Sequence, residues 1–127
     1  MLKPTLVLGA SLKSNRYSHF AVQKLKKYNH EVYPVGLRSG EIDGIEVHTF
    51  EDAFAKAQKH KSHFHTITLY LSPKHQAAYF EYILELNPKR VIFNPGTENL
   101  EFYKLLKEKE IAYEEACTLV LLSTNQY

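Results

Sequence analysis

The 127 residues, 44% hydrophobic and 24% charged with a formal net charge of +2, suit a single globular domain with a core of its own. So small a charge, with no basic run interleaved with aromatics, gives no footing for nucleic acid, and no apolar run approaches the ~20 residues that cross a bilayer. Met1-Leu2-Lys3-Pro4 lacks a signal-peptide pattern and the lone Cys117 can form no internal disulfide, so a cytoplasmic protein without membrane or nucleic-acid partners is expected.

Thr5-Leu6-Val7-Leu8 is an apolar run that stops in the small residues Gly9-Ala10-Ser11, as a strand buried on both faces of a parallel sheet would. Phe20, Ala21, Leu25 and Tyr28 then recur at near-helical spacing among lysines, which predicts an amphipathic helix from about Ser18 to Tyr28. Ser18 is its expected N-cap, and Asn29 can take the left-handed turn that ends it. Glu31-Val32-Tyr33-Pro34-Val35 reads as a second strand, ending at Pro34, which has no N–H for a ladder. After Gly36-Leu37-Arg38-Ser39-Gly40 and a turn through Gly44, Ile45-Glu46-Val47 is expected as a short edge strand. Thr49 can cap a brief helix with Phe50, Ala53, Phe54 and Ala57 inward.

Thr66 to Leu71, rich in β-branched and aromatic residues, predicts the next strand. Ser72-Pro73 opens a helix in the favoured order of cap then proline, with Ala77, Phe80, Ile83 and Leu84 as its apolar stripe and Asn87-Pro88 as its end. Val91-Ile92-Phe93 is a short buried strand broken by Asn94-Pro95-Gly96. Thr97 is the expected cap of a helix that packs Leu100, Tyr103 and Leu106 inward, and Leu105 is a further candidate. Ile111 to Glu114 is the last parallel strand, and Thr118 to Leu122 is an apolar tail that must dock or pair. Strands alternating with helices at this spacing mean βαβ units, hence an α/β domain with a doubly wound parallel sheet in three α/β/α layers.

In such a sheet a ligand sits outside the carboxyl ends of the strands, where the strand order reverses. Those ends are Gly9-Ala10-Ser11, Val35-Gly36-Leu37-Arg38, Leu71-Ser72-Pro73 and Asn94-Pro95-Gly96, all small, polar or glycine-bearing. The first precedes a helix N-terminus, whose free amides and dipole favour a phosphate. Of the three glycines of a dinucleotide fingerprint only Gly9 is present, with Ser11 and Ser14 at the other two positions. An NAD site would place a carboxylate after the second strand, to accept bonds from the ribose hydroxyls. The chain has Arg38 there, a cation suited to a phosphorylated ribose, either NADP or the 3′-phosphate of coenzyme A.

Taken together, Val7-Leu8-Gly9-Ala10-Ser11, Arg16-Tyr17-Ser18-His19, Val32-Tyr33-Pro34-Val35, Gly44, Glu51-Asp52 and Cys117 resemble the small stand-alone CoA-binding proteins. These are Rossmann-like domains similar to the nucleotide-binding part of the succinyl-CoA synthetase α chain. The resemblance implies coenzyme A or a related adenine nucleotide lying across the strand ends. Gly9, Ala10 and Ser11 would give main-chain donors to phosphate, and Arg16 and Lys13 would add charge. Val35, Gly36, Leu37 and Arg38 would border the adenosine, and Leu71-Ser72 would close the other side. The chain departs from the family pattern at Gly36-Leu37, where an asparagine followed by proline or lysine is usual. It departs again at Asn94-Pro95-Gly96, where Gln-Glu-Gly or a similar run is usual.

The residues give no expectation of catalysis or of a metal. Ser11 and His19 lack an acidic partner and a nucleophile elbow, and His60, His63 and His65 lie in a polar linker without a cysteine nearby. Cys117 follows two glutamates, surroundings that suit a buried structural thiol rather than a reactive one. Tyr33, Tyr70, Tyr79, Tyr82 and Tyr103 exceed what one ligand needs, which leaves a homodimer open. The expected function is non-catalytic binding of coenzyme A or an acyl-CoA. The alternatives are a small NADP-dependent enzyme and a degenerate scaffold acting in assembly.

Overall fold

The computed structural model describes residues 1–127. Seven strands, β1 (Thr5–Leu8), β2 (Val32–Gly36), β3 (Gly40–Ile42), β4 (Ile45–Thr49), β5 (Thr66–Leu69), β6 (Arg90–Phe93) and β7 (Ala112–Glu115), form one sheet in the order β3-β4-β2-β1-β5-β6-β7. All pairs are parallel except the hairpin of β3 with β4. The helices are α1 (Tyr17–Lys27), α2 (Phe50–Ala55), α3 (Pro73–Gln76), α4 (Phe80–Leu86), α5 (Leu100–Glu108) and α6 (Thr118–Ser123).

Side chains along β1 alternate between two cores. Leu6 and Leu8 join the larger cluster with Ala53 of α2, Ile83 of α4 and Phe102 of α5, whereas Val7 joins Val22 and Leu25 of α1 and Leu122 of α6 in the smaller one. Helices therefore cover both faces, in the three-layer, doubly wound, Rossmann-like α/β arrangement that the strand and helix pattern anticipates. β1, at the centre, pairs with β2 on one side and β5 on the other, so the chain reverses its direction of winding beside β1.

Several local expectations are corrected. Pro34 does not end β2 but lies within it, paired with Val7. The carbonyl of Val35 points to β1, where it accepts from Gly9 and Ala10, so the alternation of a strand turns the Pro34 nitrogen toward β4. Pairing with β4 starts only at Val35 and His48, and the missing N–H costs no ladder bond. β4 is not the edge either: β3, too short and glycine-led to register as a strand, takes that place.

Ser18 is not the cap of α1 but lies inside it, behind Arg16. Asn99 rather than Thr97 caps α5, its Oδ1 accepting from the Phe102 amide at 3.3 Å. The helix opened by Pro73 breaks after Gln76 into a 3₁₀ turn, Ala77–Tyr79, before α4. That break buries Gln76 and turns Ala77 outward. Leu100, Phe20, Tyr28 and Phe54 are likewise more exposed than an inward stripe requires. The apolar tail docks as α6 against α1.

Candidate functional site

The cleft begins where β1 ends. Gly9 has φ +99, and a Cβ there would lie 3.0 Å from the Tyr70 carbonyl carbon. A Cβ on Gly36 would lie 2.1 Å from the Ala10 carbonyl oxygen, closer than any side chain tolerates. The loop after β1 thus lies directly on the end of β2, and only glycine permits that approach.

This contact settles where the loop amides go. The N–H groups of Gly9 and Ala10 both donate to the Val35 carbonyl at 2.8 Å. The Ser11 N–H donates to Ser18 Oγ at 3.1 Å, and His19 Nδ1 donates to the Ser11 carbonyl at 3.0 Å. The Gly-Ala-Ser amides expected to hold phosphate are therefore already taken by the protein itself, which corrects the expected cradle. The amides with no protein acceptor come next, at Leu12, Ser14, Asn15, Tyr17 and Ser18, and the last two belong to the first turn of α1. Ser18 closes the loop from within the helix, a role its sequence position did not suggest.

A cleft of about 800 Å³ opens above these residues, within the ~300–1,000 Å³ usual for small-molecule sites. It gathers Gly9, Ala10, Ser11, Lys13 and Arg16 from the first loop, and Gly36, Leu37 and Arg38 from the end of β2. Leu71 and Ser72 come from the end of β5, and Pro95 and Gly96 from the end of β6. Two expected residues do not line it. Val35 is fully buried and contributes only its carbonyl. Asn94 is 3% exposed, its Nδ2 donating to Thr68 Oγ1 and the Leu69 carbonyl and its Oδ1 accepting from the Thr118 amide. This side chain ties β5, β6 and α6 together under the cleft and is unavailable to a ligand.

Leu12, Tyr17, Ser18, Phe50, Tyr70 and Thr97 also line the cleft without having been read from the sequence as site residues. Tyr17 follows Arg16 and could have been inferred from the helix start. Phe50 reaches the cleft because β4 runs on to Thr49, paired with Gly36, two residues further than its apolar pattern suggested. Thr97 anchors its loop by donating from Oγ1 to the Asn94 carbonyl. The Gln76 side chain, 1% exposed, donates to the carbonyls of both Leu71 and Thr97 and accepts from Asn99. One buried amide thereby clamps two walls of the cleft.

The lining includes three cations, Lys13, Arg16 and Arg38, and no carboxylate. Burial pushes the Tyr70 hydroxyl upward, so it stays protonated. Ser11 and His19 form no nucleophile–base pair, since the imidazole bonds the Ser11 carbonyl and not its hydroxyl. Of the linker histidines, His63 pairs with Glu31 at 2.5 Å and His65 Nδ1 lies 2.8 Å from Thr66 Oγ1, whereas His60 Nδ1 is buried without a hydrogen-bond partner. Cys117, expected buried, is only partly so, at the N-cap of α6. The surplus tyrosines are used inside the fold: Tyr82 and Tyr103 are buried, Tyr33 stacks on His48 and Tyr79 on Phe50.

Residues 3–123 match the model of a family described as a CoA binding domain. Among solved structures, an uncharacterized protein superimposes with a TM-score of 0.89 at 41% identity, over 100% of this chain and 99% of its own. A hypothetical protein from Pyrococcus horikoshii OT3 gives 0.80 at 22%, covering 97% and 83%. A protein from Thermus thermophilus gives 0.79 at 21%, covering 98% and 91%. No curated protein matches the chain.

Proposed function

Because the chain belongs to the CoA-binding domain family, we propose that it binds coenzyme A or an acyl-CoA in the cleft above β1, as a non-catalytic carrier or sensor. The observation that carries this reading is the lining itself, three cations and no carboxylate at a topological switch point. Coenzyme A brings a pyrophosphate and a ribose 3′-phosphate, so its charge calls for several cations rather than one. Charge-assisted bonds from Arg to phosphate are the strong ones. Lys13, Arg16 and the free amides from Leu12 to Ser18 would take the pyrophosphate, at the positive end of α1. Arg38 would take the ribose phosphate. Relative to the resemblance, the phosphate donors move from Gly9-Ala10-Ser11 to the residues just after them.

NADP is the second reading, favoured by the same Arg38, since its 2′-phosphate would meet the same cation. Titration calorimetry with CoA, NADP, NADPH, NAD and ATP separates the two. CoA is expected to bind tightest. Absence of CoA heats at millimolar concentration, or a preference for NADPH, would overturn the first reading.

A further inference from the structure

Charge is spread unevenly along the cleft, and the strand order shows how. The four strand ends that build it lie side by side as β2, β1, β5 and β6. Arg38 stands after β2 and Lys13 and Arg16 after β1, whereas Leu71 and Ser72 after β5 and Pro95, Gly96 and Thr97 after β6 bring no charge. Just behind this far wall is a carboxylate. Glu98 Oε1 accepts the Gly96 amide at 2.9 Å, which fixes the acid against a residue of the lining. Its side chain is exposed, and no Lys, Arg or His pairs with it. A second acid follows at the end of β7, the next strand along. There Glu115 accepts from the Tyr103 hydroxyl at 2.6 Å and also has no cationic partner. The cleft therefore runs from positive at β2 and β1 to negative beyond β6.

We infer that Glu98 sorts the thioesters this cleft takes, admitting CoA that carries a neutral acyl group and turning away CoA whose acyl group ends in a carboxylate. The inference rests on the CoA reading above. With the ribose phosphate at Arg38 and the pyrophosphate at Lys13 and Arg16, the rest of the ligand continues across β5 to β6. Neighbouring strands lie ~4.8 Å apart, so β6 stands about 10 Å from β1, a distance that the pantetheine arm reaches across. The thioester then meets the wall made by Pro95, Gly96 and Thr97. A carboxylate on the acyl group would bring a second negative charge beside Glu98, with no cation on that side to offset it. A neutral acyl group meets no such repulsion. Selectivity of this kind is a difference between two affinities, and here the repulsive element supplies it.

Butyryl-CoA and succinyl-CoA test this, since their acyl groups have equal carbon counts and differ in the charge at the far end. In titrations of the intact protein at low ionic strength, butyryl-CoA is expected to bind about threefold tighter or better, as like charges a few ångströms apart in water-facing surroundings would give. Added salt should narrow that ratio. Glu98→Gln keeps an acceptor for the Gly96 amide and removes the charge. In that variant the ratio should fall to one because succinyl-CoA gains affinity, with butyryl-CoA unchanged. Succinyl-CoA binding the wild-type protein as tightly as butyryl-CoA would overturn the inference and leave the CoA reading intact. A ratio that Glu98→Gln does not move would place its cause elsewhere and overturn the inference too. Binding of no CoA species at all would remove both readings.

Discussion

At the residue scale, Gly36 and Arg38 illustrate two kinds of constraint two positions apart. The first is steric: with the Ala10 carbonyl 2.1 Å from where a Cβ would be, Gly36→Ala must separate β2 from the loop it supports. It is expected to lose at least about 2 kcal/mol, read as a lower denaturation midpoint with an unchanged slope. The second is electrostatic and belongs to the proposed ligand. Arg38→Ala is expected to bind CoA and dephospho-CoA equally, whereas the wild-type chain prefers CoA, a difference that calorimetry reads. Arg38 was legible because a cation stands where a ribose-binding carboxylate would be expected. Val35 and Asn94 were misread for a common reason: a residue at a strand end can serve the site through its backbone or from beneath it, and the sequence does not say which way it faces.

At the scale of elements, the strands were legible where burial on both faces makes an apolar run, as in β1 and β6, or where β-branched residues crowd together, as in β5. They were less legible at the margins. Gly40-Glu41-Ile42 is too short to show a period, and β3 becomes a strand only because β4 pairs with it. The helical periodicity from Pro73 to Leu86 hid its own interruption, since Gln76 carries no apolar signal and yet is the residue held inside. Its side-chain amide donates at 2.8 Å to Leu71 and at 2.7 Å to Thr97. Gln76→Ala leaves both carbonyls without that donor and is expected to lose about 1–3 kcal/mol, measurable by thermal or chemical unfolding. It should also weaken nucleotide binding by loosening two walls at once.

At the scale of the whole molecule, the chain pattern was enough to anticipate a doubly wound domain and the end of the sheet that carries the cleft. It could not show that the loop amides after β1 are consumed internally, because that depends on how closely two loops approach. Three histidines give the molecule a pH response of its own. Burial lowers the affinity of His30, His60 and His65 for a proton, and nearby charge adds to it: Lys3 at His30, His63 at His60 and Arg90 at His65. The unfolded chain takes up these protons near pH ~6.5, the folded chain only at lower pH, so acid favours unfolding. Their stabilisation is complete above the unfolded value and is lost as pH falls through the folded ones. The melting temperature is therefore expected to fall on acidification from pH 7 to 5, and less steeply in a His30→Gln, His60→Gln, His65→Gln variant.

The sharing of one Val35 carbonyl by two amides divides a short loop into parts with different clocks. Gly9 and Ala10 N–H are locked to the centre of the sheet, so their deuterium uptake should be slow and indifferent to ligand. The amides of Leu12, Ser14 and Asn15, bonded to nothing in the protein, should exchange freely until a nucleotide arrives and then slow. A site whose floor is set before the ligand comes spends little of its binding energy on reshaping itself, and whatever selectivity it has is decided at the rim.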